Sequence, residues 1–282
     1  MAIRIIADSG CDITQEEARE LGIEILPIKT IFGETEYRDG IDLTHEEFFE
    51  KLIESDIFPT TSQISPFEYE QKYEEIKKDG DQAIVITLSS KLSGCFQSAN
   101  IAAEDYEGIV FPVDSLSVTA GERILIEYAV RLREQGLQIQ EIIEKLEERK
   151  HKIRLIALLD TLEYLKKGGR ISAAAAMAGA LLSIKPVVAI ENGEVTVLGK
   201  ARGSKAGNNM LREMVNKEGV IDFSMPFALV YSGLSDELLQ KYKKDNRDLF
   251  EDAVGDIQGY SLGCAIGTHI GPGAIGTAFF VE

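Results

Sequence analysis

The chain has 282 residues, 44% hydrophobic and 27% charged, a balance that buries a sizeable core in one large unit or two smaller ones. Its formal net charge of -17 excludes general nucleic-acid binding, because phosphate contacts need Lys and Arg in excess. Cys11, Cys95 and Cys264 are far apart and form no Cys-x-x-Cys pair, so neither a zinc site nor a disulfide frame is expected.

In chain order, "IRIIA" reads as a buried strand followed by the loop "DSGCDIT". Thr14 caps a helix through "QEEARELG" that stops at Gly22. "IEILPI" and "KTIFGETEY" read as strands, the latter a pair turning at Gly33, and Thr44 opens the helix "HEEFFEKLIE". Ser65 and Glu68 form a capping box with Pro66 at the first helical position, and that helix ends at Gly80. "QAIVIT" is a buried strand, "SGCFQSANIAAED" a helix, "GIVFPVDS" a strand, and two helices fill Leu116 to Lys150. This alternation predicts a parallel, Rossmann-like sheet over residues 1–151 with helices on both faces. Asp8-Ser9, Ser89 to Gly94 and Asp114-Ser115 each follow a strand directly, so they are expected to converge at the carboxyl edge of the sheet.

From residue 152 to 282 the pattern changes to an α+β domain packed on the first. "IRLIALLD", "VVAIENGEVTVLGKAR", "PFALVYSG" and "AIGTAFF" are expected strands, with an Asn-Gly hairpin turn at "ENGE". Helices are expected at 161–168, 172–183, 204–217 and 236–250. The opening residues lack the apolar region of a signal peptide, and Ile171 to Ile184 falls short of the roughly 20 residues that span a bilayer. A cytoplasmic protein is expected.

Four stretches carry chemistry. "LSSKLSGCFQSAN" places Ser93 and the amides of Gly94 and Cys95 at a helix start, where free N–H groups and the helix dipole favour a carboxylate or phosphate. A plain serine cap is the other reading, and the density of hydroxyls from Thr87 to Ser93 exceeds what capping requires. "FPTTSQISPFEY" offers Thr61 and Ser62 as further ligand contacts. "GTHIGPGAIG" has the letters of a dinucleotide fingerprint but no helix to follow it, so its glycines are read as a bare loop presenting His269. From His151 to Arg212, ten Lys and Arg face four acids, a surplus of six in an otherwise acidic chain. Within that island Arg170 ("GGRIS") and Arg202 ("KARGSKAG") lie beside glycines that let backbone approach a ligand.

Hydrolysis or phosphotransfer by Ser93 with His269 stays open at this point, with Asp8 or Asp114 as the orienting acid, although no G-x-S-x-G elbow occurs. Asp8, Asp12, Asp39 and Asp42 are the residues that would gather around a divalent ion, and there is no P-loop for ATP. The assembled groups hold an anion better than they attack one, and no cofactor is expected.

Six blocks in order, "IRIIADSGCDI", "YRDGIDLTHEEFFEKL", "PTTSQISPFEY", "LSSKLSGCFQSA", "YLKKGGRIS" and "IGTHIGPGAIG", resemble the DegV family, which includes the fatty-acid-binding FakB subunit of bacterial fatty acid kinase. The resemblance implies a binding protein, not an enzyme, with a long-chain fatty acid held between two α/β domains. It implies that a separate ATP-dependent kinase subunit phosphorylates the carboxylate and that the acyl phosphate enters phospholipid synthesis. Carried over by position, Thr61, Ser93, Gly94 and His269 bind the carboxylate, with Ser62 of the same polar stretch as a further candidate, while Arg170 and Arg202 serve the kinase or the phosphoryl group. A lipid ligand is consistent with elementary energetics, since each buried CH₂ contributes about 0.8 kcal/mol. "ISAAAAMAGALLSI" is read as a small-residue helix, either packed tightly in the core or with Met177, Leu181 and Leu182 facing the acyl slot. Transient contact with a membrane surface is a further expectation.

Overall fold

The computed structural model describes residues 2–171, 184–251, 253 and 257–282. Four parallel strands make the first sheet in the order β2-β1-β6-β7: β1 (Ile3–Asp8), β2 (Glu24–Leu26), β6 (Gln82–Thr87) and β7 (Val110–Asp114). Central β1 and β6 are buried on both faces, which is why they read as apolar runs rather than as alternating patterns.

Helices α1 (Gln15–Leu21), α3 (Pro66–Asp79) and α4 (Cys95–Ala103) lie between these strands, and α5 (Ala120–Glu134) and α6 (Ile139–Arg149) follow the last of them. Thr14, Thr44 and Ser65 form capping boxes with Glu17, Glu47 and Glu68, the second opening α2 (His45–Glu54). Gly22 and Gly80 end their helices in the left-handed conformation, at φ 59° and 72°. The start and stop residues read from the sequence are therefore the ones in use.

A second, six-stranded sheet runs β10-β9-β8-β13-β11-β12. Its strands are β8 (Ile153–Leu158), β9 (Ile184–Glu191), β10 (Glu194–Arg202), β11 (Ala228–Tyr231), β12 (Gly259–Ser261) and β13 (Ile275–Phe280). All its pairings are antiparallel except β11 with β12. Asn192 and Gly193 both have positive φ, the turn that matches a twisted hairpin. A small sheet of β3 (Lys29–Phe32), β4 (Thr35–Arg38) and β5 (Thr60–Ser62) stands apart with α2. Between the two larger sheets lies α5, touching β1 and β6 on one side and β8, β11 and β13 on the other. Eleven of its fifteen residues are buried, as a helix enclosed on all sides requires. One apolar core runs from Ile5 through α5 to Phe280.

Three expectations change. The segment read as a loop around His269 is a helix, α10 (Cys264–Ile270), and β5 and β12 were not anticipated. The helix expected at 236–250 divides into α9 (Glu237–Asp245) and a 3-10 turn over Arg247–Phe250. Helices α7 (Glu163–Lys167) and α8 (Ser204–Lys217) lie where expected, and the one expected at 172–183 falls outside the described residues. Among the described residues no helix is long and apolar enough to cross a membrane.

Candidate functional site

The loops leaving β1, β6 and β7 converge as expected. Asp8, at the end of β1, accepts hydrogen bonds from the backbone N–H of Gly10 and of Leu88, both at 2.9 Å. Burial raises its carboxyl to about 7, the Asp39 charge adding a little and the two backbone donors opposing. Asp114 accepts from the N–H of Ser90 (3.2 Å) and Leu116 (3.0 Å). Ser89 donates to the Gly193 carbonyl at 2.7 Å and so ties this edge to the hairpin of the second sheet. These carboxylates and serines hold the loops in place, and the site begins just beyond them.

Ser93 and Gly94 sit at the start of α4. The Ser93 hydroxyl accepts from Cys95 N–H at 3.3 Å, a weak cap, and lies 3.3 Å from the Cys95 thiol. Gly94 is the N-cap residue, without a side-chain cap, and its N–H has no hydrogen-bond partner among the described residues. Gln63 lies across Gly94 so closely that any Cβ there would overlap the Gln63 amide, while Gln63 Nε2 donates to Ser98 Oγ at 2.9 Å. Gln63 belongs to this site and was not foreseen, although it stands in the same polar knot as Thr61 and Ser62.

Helix α10 delivers His269 in its last turn, opposite β5. Its Nε2 stands 2.9 Å from Thr61 Oγ1, so residues 208 positions apart meet here. Its Nδ1 is buried without a partner among the described residues, facing Gly168, where a Cβ would overlap the ring. Burial, with the nearby Arg170 charge adding to it, lowers the imidazole to about 4. The ring is therefore neutral at pH 7, able to donate through one nitrogen and accept through the other. Gly271 ends α10 at φ 70°, with the Tyr164 ring packed where its side chain would be.

Arg170 follows α7. Its guanidinium is anchored by donating to the carbonyls of Leu92 (3.1 Å) and Gly168 (2.6 Å). Thr61, Ser62, Ser93, Gly94, Arg170 and His269 all line one cavity of about 340 Å³, within the range of small-molecule sites. Arg170 is the only lining side chain among the described residues that carries a formal charge at pH 7. Arg202, at the end of β10, is exposed and does not line the cavity. Met177, Leu181 and Leu182 lie outside the described residues.

Apart from Gln63 and Thr119, the rest of the lining is apolar and comes mostly from the inner face of the second sheet. Leu155 and Ala157 on β8 and Val188 and Ile190 on β9 are each two residues apart, the spacing of one sheet face. Small residues leave the room: a Cβ on Gly276 would come within 3.2 Å of both Ala157 and Val230. Leu88 and Val118 face them from the first unit and Ala265, Ile266 and Ile270 from α10.

Chemically this is a greasy chamber with one polar end built from hydroxyls, a free backbone N–H, a neutral imidazole and a single cation. The Ser93–His269 pair considered from the sequence is not formed. Ser93 bonds to Cys95, His269 pairs with Thr61, and among the described residues no acid accepts from Nδ1; Asp8 and Asp114 accept from backbone N–H groups. The acids considered for a divalent ion also part company. Asp12 accepts from Gly263 N–H, Asp39 from Cys264 and Ala265 N–H, and Asp42 binds Arg38. No group of three His, Cys, Asp or Glu suited to a metal ion occurs among the described residues. All three cysteines are buried free thiols.

Comparison with known proteins agrees with this architecture. The chain is 33% identical over 278 residues to a DegV domain-containing protein of Caldanaerobacter subterraneus subsp. tengcongensis, covering 98% of each. A solved DegV family protein of Thermus thermophilus, described by its fatty acid binding, superposes with a TM-score of 0.88 at 29% identity over the whole of both chains. A stearic acid-binding protein of Eubacterium ventriosum also gives 0.88, at 27% identity, over 100% of this chain and 98% of the other. The family model for DegV, described as an uncharacterised protein, matches residues 2–282, and this chain belongs to the DegV family.

Proposed function

We propose that this protein binds one long-chain fatty acid, with the acyl tail in the apolar chamber and the carboxylate at its polar end. The observation that carries this reading is the pairing of an apolar cavity with a polar end holding one cation and a neutral imidazole. A buried carboxylate must be hydrogen-bonded or charge-paired, and the Gly94 N–H, the Ser93 and Thr61 hydroxyls and Arg170 meet that need. Thr61 donates to the carboxylate while accepting from His269 Nε2, which gives the imidazole an orienting role. Ser62 adds a second hydroxyl beside Thr61. The binding of fatty acids by solved relatives of the same fold supports the choice of ligand.

In the fuller form of this reading, the protein acts in the cytoplasm and has no catalytic activity alone. It presents the bound carboxylate to a separate ATP-dependent kinase, and the acyl phosphate feeds phospholipid synthesis. Arg170 then stands beside the phosphoryl group, and exposed Arg202, with the basic segment around it, meets the acidic or nucleotide-bearing partner. Native mass spectrometry of freshly purified protein tests the core of the reading. A co-purified mass equal to one long-chain fatty acid is expected; a lipid-free protein that takes up no added fatty acid would overturn it.

A further inference from the structure

The helix that brings His269 to the site is held at its other end by two carboxylates from the far end of the chain. Helix α10 has seven residues, and its N-cap, Gly263, supplies no side-chain hydrogen bond. Its first donors are satisfied instead by Asp12 and Asp39. Asp12 Oδ1 accepts from Gly263 N–H at 2.7 Å, Asp39 Oδ1 from Cys264 N–H at 2.9 Å and Asp39 Oδ2 from Ala265 N–H at 3.0 Å. The acids are 2% and 1% exposed, and neither lines the cavity. Asp39 is itself fixed by the Ser9 hydroxyl at 3.0 Å, and Ser9 accepts from Ile28 N–H at 3.0 Å. Gly263 is crowded between the two carboxylates and His45: a Cβ there would fall 3.0–3.1 Å from all three.

We infer that Asp39, with Asp12 beside it, is a positioning residue for the carboxylate end of the site, acting through α10 without touching the ligand. Between them the two acids take three backbone N–H groups at the start of the helix, so the attachment is directional and fixed at several points. Cys264 and His269 are five residues apart on one short rod, about 7.5 Å along the helix axis, so a shift at the clamp reaches the imidazole. The chamber residues Ala265, Ile266 and Ile270 ride on the same rod. Apolar contacts tolerate a small shift because they are non-directional, whereas hydrogen bonds weaken steeply with distance and angle. Loosening the clamp should therefore impair recognition of the carboxylate before grip on the tail.

The inference rests on the fatty-acid reading, and its test separates the two. Dissociation constants are measured for a long-chain fatty acid and for the fatty alcohol of equal length, which lacks the carboxylate. In Asp39→Asn, which keeps the shape and loses one acceptor, the acid should bind about tenfold more weakly and the alcohol less than about threefold. Equal losses for both ligands, or none for either, would overturn the inference. If Asp39→Asn does not fold, Ser9→Ala, which removes one support of Asp39, should show a smaller loss of the same selectivity, and equal losses there overturn it too. A wild-type protein that binds neither ligand refutes the fatty-acid reading itself.

Discussion

A carboxylate drawn into the seam between two sheets needs donors that cost little to keep buried when it is absent. His269 is such a group because its folded form stays neutral, shifted from the usual 6.5 to about 4. On acidification the unfolded chain takes up the proton first, so this residue costs the folded state stability as pH falls from about 6.5 to about 4. Asp8 acts with the opposite sign. Its carboxyl, raised from 3.8 to about 7, favours the folded state at low pH and loses that contribution as pH rises through the same range. The two partly cancel in the wild type. Replacing His269 by Gln removes one of them, so the variant should gain stability relative to wild type by up to about 1.4 kcal/mol for each unit of acidification in that window. Urea unfolding of the lipid-free proteins at a series of pH values measures this. A constant offset from pH 7 to pH 4 would show that the ring ionises freely in the folded protein.

Between elements, the contact that most narrowly fixes the site is that of α7 with α10. Gly168 closes α7 in ordinary helical backbone geometry, so alanine is permitted there by conformation, yet its methyl would collide with the His269 ring. Gly168→Ala should leave the melting temperature of the lipid-free protein within a few degrees of wild type and weaken fatty-acid binding about tenfold. Unchanged affinity would mean the imidazole has room to step aside. This contact also marks the limit of what local sequence discloses. Thr14, Thr44, Ser65, Gly22 and Gly80 announce their helix ends because cap and partner lie within a few residues of each other. Helix α10 announces nothing: "CAIGTHI" holds a glycine and two β-branched isoleucines, and its capping acids stand 251 and 225 positions away. Strands β5 and β12 are three residues each, too short for alternation to register.

For the whole molecule, the polar end of the chamber was readable and the apolar part was not, for one physical reason. Hydroxyls and glycines at a helix start or in a loop are conspicuous one at a time. The chamber wall is made of ordinary strand residues such as Leu155, Val188 and Ile190, and becomes a cavity only where Ala157 and Gly276, partners on adjacent strands of the second sheet, line it together with Ala265 of α10. The same seam governs unfolding. The core joining Ile5, Ile124 and Phe280 is continuous through α5, and α5 contacts both sheets, so neither sheet can be exposed without uncovering that helix. Lipid-free protein should therefore melt in a single transition despite its 282 residues. A fatty acid touching both sides of the seam should move that transition upward as one, by about 2.7 kcal/mol of added stability at a free concentration one hundred times its dissociation constant. Differential scanning calorimetry with and without oleate reads both features. Two resolved transitions, of which lipid moves only one, would mean that the sheets unfold separately and that the ligand belongs to one of them.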